Sequence, residues 1–309
     1  MKKLLDSLRV EPGKKIDLRN DYDPGAVGHF MSKEDAEETT AAGIRLLAQQ
    51  QDKLYAQNTY GLLIIIQAMD AAGKDSTIKH VMSGVNPQGV QVTSFKAPGT
   101  EELDHDYLWR CCAALPSRGD IGIFNRSYYE EVLIVRVHPD NLERQQLPPA
   151  LNDGDIWNRR FREINNFEQY LVDNGIVVLK FFLNVSKEEQ KKRFLKRVDE
   201  PDKNWKFAAA DIRERACWDD YMDAYEDMFN HTSTPYAPWY IIPADNKWFT
   251  RLAVVSAICE TLDSLHLAYP AVTKEQKEAL LQAKEEMERE SGDTAIGKKK
   301  DKKARGKKA

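Results

Sequence analysis

Five short apolar runs punctuate the chain: Leu62-Leu63-Ile64-Ile65-Ile66, Val90 to Phe95, Ile121 to Phe124, Ile176 to Val185, and Trp239 to Ile242. Stretches of mixed polarity, each long enough for a helix, separate them. A continuous apolar run is what a strand covered on both faces requires, and strands alternating with helices predict an α/β parallel sheet with helices on both sides. Before the first run, loops around Pro12-Gly13 and Pro24-Gly25 lead into a helical pattern from about Ser32 to Gln57, with Ser32 as N-cap and Glu34 and Asp35 in the first turn. After the fourth run, Ser186 with Glu189 three residues on predicts a capping box and a helix to about Val198.

The pattern loosens between Asp199 and Asp211, where Pro201, Asp202 and Asn204 surround Trp205 and Phe207. Such an insert beside an arginine-bearing helix reads as a mobile lid over about 196–215. The organisation expected is an N-terminal extension and helix over 1–58, one catalytic domain over 59–270, a charged helix over 271–292 and a basic disordered tail over 293–309.

Composition narrows the class. The chain has 309 residues, 42% of them hydrophobic and 30% charged, which fits a globular enzyme. No run approaches the roughly 18 apolar residues of a membrane helix, so a cytoplasmic protein is expected. Cys111, Cys112, Cys217 and Cys259 form no CxxC pair, and the six histidines show no ligand spacing, which argues against a zinc site. The net charge is −4, yet the last dozen residues hold eight basic residues against Asp301 alone, so the body is far more acidic than the total. An acidic body that handles polyanions must concentrate its positive charge locally.

Candidate chemistry begins at Gln67-Ala68-Met69-Asp70-Ala71-Ala72-Gly73-Lys74-Asp75-Ser76-Thr77, between the first strand and the following helix. A phosphate chain needs backbone N–H groups at a helix N-terminus, a glycine that permits close approach, and a lysine reaching the terminal phosphates. Ala71, Ala72, Gly73, Lys74 and Ser76 are therefore expected around phosphate. The segment departs from G-x-x-x-x-G-K-[ST] at Ala68 and at Asp75. Asp70 and Asp75 would repel an anionic substrate unless a divalent cation intervenes, and Asp70 is the candidate metal ligand.

Arg126 and Glu130, in Asn125-Arg126-Ser127-Tyr128-Tyr129-Glu130, follow the third strand at the sheet edge where ligands of open α/β sheets bind. An arginine there can grip phosphate oxygens with two donors, or else simply pair with Glu130 or Glu131. Arg193 and Arg197 fall at i and i+4, as a shared polyanion would require or as part of a solvated basic face.

In this order the segments resemble polyphosphate kinase family 2. Thr93-Ser94-Phe95-Lys96-Ala97-Pro98, Asn204-Trp205-Lys206 and Pro243-Ala244-Asp245-Asn246-Lys247-Trp248 also match it, and the resemblance runs from about Leu8 to Leu267. It implies a P-loop kinase fold like that of thymidylate kinases, three-layered and with a helical lid. It also implies reversible transfer of a terminal phosphoryl group from inorganic polyphosphate to ADP or GDP, and to AMP or GMP, with Mg2+ or alternatively Mn2+.

Residue by residue, the resemblance carries metal and phosphate roles to Asp70, Lys74 and Asp75, phosphate-clamping roles to Arg126, Arg193 and Arg197, and a place close to the transferring group to Glu130. Asn125 and Glu130, where many relatives carry Asp and Asn, suggest the subgroup accepting both nucleoside mono- and diphosphates. Lys96 is a candidate on the nucleotide side with them. A homodimer or homotetramer is expected, and neither a membrane nor nucleic acid is expected as a partner. The rival readings are an ATP-dependent nucleotide kinase and a non-catalytic polyanion-binding protein.

Overall fold

The computed structural model describes residues 2–28, 32–206 and 209–305. Its centre is a five-stranded, all-parallel sheet: β1 Gly61–Gln67, β2 Val90–Ser94, β3 Ile121–Asn125, β4 Ile176–Asn184 and β5 Trp239–Pro243. The spatial order is β2-β3-β1-β4-β5. Each strand lies within two residues of the apolar run that predicted it. All seven residues of β1 are buried, as its central position demands, whereas β2 at the edge is half-exposed.

Nine helices of seven residues or more accompany the sheet among the described residues: α1 Lys2–Leu8, α2 Lys33–Gln57, α3 Lys74–Val81, α4 Ile156–Asp173, α5 Lys187–Asp199, α6 Ala209–Ala216, α7 Trp218–Thr232, α8 Lys247–Ser264 and α9 Lys274–Arg305. Helix α8 packs on both α2 and α3, while α4 and α7 pack together. Helix α2 starts where the Ser32 hydroxyl accepts from the Asp35 N–H, and ends where Asn58 turns left-handed with φ of 51°.

The N-terminal segment is stitched into the core. Val10 N donates to Trp239 O at 2.8 Å, Ile16 N to Asn230 Oδ1 at 2.8 Å and Leu18 N to Glu226 Oε2 at 2.8 Å. Leu5, Val10, Ile16 and Leu18 are buried in the main hydrophobic cluster with Phe124, Phe181, Phe229 and Trp239.

The chain forms two compact units, 1–268 and 269–309. Helix α9, in the second, runs to Arg305 and so takes in most of the stretch expected to be disordered. The reason is local: lysine and arginine are good helix formers and no proline interrupts them. Residues 207–208 of the expected lid and 306–309 of the tail lie outside the described residues. Among the described residues no helix is long and apolar enough to cross a membrane.

Sheet register decides where the chemistry converges. Ile66 of β1 pairs with Asn125 of β3, and Ser94 of β2 pairs with the same Asn125, so three strands end side by side. The chain leaves β1 for one half of the sheet and returns to the other at β4, which makes the carboxyl end of β1 the switch point where open α/β sheets form their crevice.

Candidate active site

The turn after β1 is a tight cradle. Ala71 has φ of 61° and Gly73 φ of 112°, both left-handed. Gly73 adopts this without penalty, whereas Ala71 holds a conformation that costs on the order of 1–3 kcal/mol and persists at functional sites. Gly73 is the N-cap of α3 without a side-chain cap, so the first N–H groups of that helix face outward at its positive end.

Lys74 folds back across the cradle, its Nζ donating to Ala68 O at 2.9 Å. Burial, and then the neighbouring Arg126 charge, push its pKa down to about 8, against the pull of Asp70, Glu130 and Asp75.

Beside the cradle, the loop after β3 adds a third left-handed residue, Arg126 with φ of 64°, anchored by its N–H on Ile66 O at 3.1 Å. Its guanidinium donates to Asp70 Oδ1 at 2.9 Å. The neighbouring Asn125 donates from Nδ2 to Asp75 Oδ1 at 2.7 Å. Of the two pairings open for Arg126 in the sequence, the structure gives neither a helical Glu130 nor a Glu131 bond; Glu131 instead receives Arg160 at 3.1 Å. Burial raises the pKa of Glu130, with Arg126 and Lys74 opposing the rise.

Nearly all of the residues singled out from the sequence line one trough: Asp70, Ala71, Gly73, Lys74, Asp75, Ser76, Lys96, Asn125, Arg126, Arg193 and Arg197. Ala72 is buried and offers only its backbone. Glu130 stands at two adjoining clefts, one toward Phe95 and Tyr107, the other toward Tyr221 and Tyr225. Arg126 borders all three spaces.

Arg193 behaves differently from a phosphate clamp. Its Nε donates to Glu189 Oε1, one terminal nitrogen to Ala71 O and Ala72 O, and the other to Ala244 O and Asp245 O, all at 2.7 to 3.1 Å. The guanidinium braces the cradle from behind. The expected capping box is half realised for the same reason: Ser186 Oγ accepts from Glu189 N, but the Glu189 carboxylate turns to Arg193. Arg197 lies over the Phe194 ring at 5.4 Å with Asp211 at 3.9 Å.

Sequence reasoning missed Lys196, Lys203 and Lys247, which line the trough. Lys247 shows what the crowding does: burial, followed by Arg193, Arg251 and Lys196, lowers its pKa. Only its place in the Asp245-Asn246-Lys247-Trp248 segment signalled it. Arg110 was missed as well; it stacks on Phe95 at 5.3 Å and donates to Lys96 O at 2.7 Å, forming a wall of the first adjoining cleft.

The trough thus gathers cations inside an acidic body and suits a polyanion. Among the described residues no three His, Cys, Asp or Glu side chains stand close enough to enclose a metal. One or two carboxylates, with substrate oxygens and water completing the shell, fit a hard divalent ion held jointly with phosphate rather than a resident caged one.

Comparison with known proteins agrees with this geometry. Residues 30–269 match the model of the family described as Polyphosphate kinase 2. An ADP-polyphosphate phosphotransferase of Rhodopseudomonas palustris is 51% identical over 291 residues, spanning 93% of this chain and 99% of the relative. An AMP/ADP-polyphosphate phosphotransferase of Meiothermus ruber is 44% identical over 263 residues, 85% of this chain and 94% of the relative. The crystal structure of Polyphosphate Kinase 2 from Arthrobacter aurescens TC1 superposes with a TM-score of 0.81 at 42% identity, covering 89% of this chain and 95% of that one. With its parallel sheet, phosphate cradle and these likenesses on both sequence and structure, the chain belongs to the polyphosphate kinase 2 family and has the P-loop kinase fold.

Proposed function

We propose that the trough holds inorganic polyphosphate, that the cleft between Phe95 and Tyr107 holds the acceptor nucleotide, and that the phosphoryl group passes between them beside Arg126. The observation that carries this is the position of Arg126, which borders both spaces while bonded to Asp70. An oxygen of the nucleotide's last phosphate attacks the terminal phosphorus of polyphosphate. The bond from that phosphorus to its bridging oxygen breaks, and the shortened polymer leaves with the electron pair. One phosphoanhydride replaces another, so the reaction runs in both directions.

Lys74, the N–H groups at the start of α3 and Arg126 meet the equatorial oxygens, so that positioning and electrostatics supply most of the rate. Mg2+, or Mn2+ in its place, held through Asp70 with help from Asp75 or Glu130, would neutralise charge between donor and acceptor. Lys96 and Arg110 line the nucleotide cleft. ADP and GDP are the acceptors proposed first, with AMP and GMP beside them on the identity of Asn125 and Glu130.

ADP incubated with polyphosphate and no other donor should give sustained ATP formation; no ATP without an added nucleoside triphosphate would assign the chain to ordinary nucleotide kinases. Asp70→Ala should lower that rate by at least about a hundredfold and remove most of its dependence on the divalent ion. Near-normal turnover by the folded variant would end the metal assignment.

A further inference from the structure

The carbonyl oxygens of the phosphate cradle are captured one after another, some by donors of the same turn and some by donors from elsewhere in the fold. Ala68 O receives Lys74 Nζ, Met69 O the Ala72 N–H, Asp70 O Gln190 Nε2 at 2.9 Å, Ala71 O and Ala72 O Arg193, and Gly73 O the Thr77 N–H and Ser76 Oγ. A carbonyl facing an anion repels it, so a cradle for phosphate works only if its oxygens are turned away. Two of these donors, Gln190 and Arg193, sit one turn apart on α5 and are buried. Gln190 is itself oriented: Arg215 of α6 donates to its Oε1 at 2.8 Å and to Lys187 O at 2.7 Å.

We infer that Gln190 is a positioning residue for Asp70 and the cradle, and that Arg215 acts through Gln190 to couple helix α6 to the phosphate loop. An amide has one donor end and one acceptor end here, and Arg215 occupies the acceptor end, so the NH2 group must face Asp70 O. Losing Arg215 frees the amide to rotate, and Asp70, whose side chain meets Arg126, loses its backbone anchor. Helix α6 lies at the end of the segment read as a lid, so its seating is communicated to the turn that grips phosphate. The inference rests on the polyphosphate-transfer reading only for its kinetic readout.

The test uses the full chain with Gln190→Leu, Arg215→Ala, both together, and Arg215→Lys. Each single change should lower kcat about ten- to a hundredfold with KM for ADP little altered, and raise the Mg2+ concentration needed for half-maximal rate. The double variant should match Gln190→Leu, because Arg215 acts through it, and Arg215→Lys should recover part of the loss. Independently of activity, hydrogen exchange of the Asp70–Lys74 amides should speed up in Arg215→Ala. Multiplicative losses in the double variant, or wild-type kcat and wild-type exchange in Arg215→Ala, overturn the relay. Should Gln190→Leu not fold, the half-buried Arg215→Ala decides alone. Wild-type protein that makes no ATP counts against the transfer reading, and the exchange comparison then still decides the relay.

Discussion

Lys74 is 9% exposed, and burial holds its pKa down at about 8 against 10.5 for a free lysine. Between those values the unfolded chain binds the proton that the folded one has released, so stability from this group rises with pH across the window. Below about pH 8 both states are charged, and the buried charge is a standing cost that a bound polyanion removes. Tripolyphosphate should therefore raise Tm more at about pH 7 than at about pH 9.5. In Lys74→Ala that difference should shrink and ATP formation should fall about 10²- to 10³-fold. Equal thermal shifts for the wild type at both pH values would remove Lys74 from the phosphate site.

At the scale of elements, the loop after β3 depends on a buried charge pair. Lys180 of β4 and Glu168 of α4 are both fully buried and meet at 2.6 Å. Tyr128 and Tyr129, which lie between Arg126 and Glu130 in the chain, donate their hydroxyls to Glu168 Oε1 at 2.9 and 2.7 Å, and Lys180 also donates to Thr232 O at 2.8 Å. Strand, two helices and the loop after β3 are tied at one point. Glu168→Gln leaves an uncompensated ammonium and should cost about 3–5 kcal/mol, read by denaturant unfolding. Replacing both partners, as Glu168→Leu with Lys180→Met, should cost less than the single change. If the double replacement costs more, the pair stabilises the fold beyond its own desolvation.

For the molecule as a whole, the contrast that matters is between a net acidic chain and a trough rich in lysine and arginine. Such a trough attracts a polyanion over distances of about a Debye length and does so less well as salt rises. Deleting residues 293–309, which hold most of the C-terminal basic charge, should leave ATP formation from short polyphosphate intact. Its expected effect is weaker retention of long polymer at low ionic strength, measured by filter binding. Loss of turnover with short polyphosphate would give the tail a catalytic part instead.

Much of this is legible in the sequence. The five strands, the caps at Ser32 and Ser186, and the Gly73-Lys74 turn were readable because each rests on local causes: periodicity of burial, hydrogen bonds three residues apart, and a backbone conformation that glycine permits. Family motifs carried Asp70, Asp75, Arg126 and Glu130 to the same sheet edge. The roles of Arg193, Gln190 and Lys247 were not readable, because their partners lie far along the chain: Arg193 reaches Ala71 across 122 positions and Gln190 reaches Asp70 across 120. A pair of arginines at helical spacing looks the same whether both face a ligand or one faces the protein. Strand order brings β5, α5 and the turn after β1 together, and the unmet carbonyls of that turn then draw Arg193 inward. The sequence by itself determined the elements and the residue types they carry; only tertiary packing decided which cations open onto the trough and which hold its backbone.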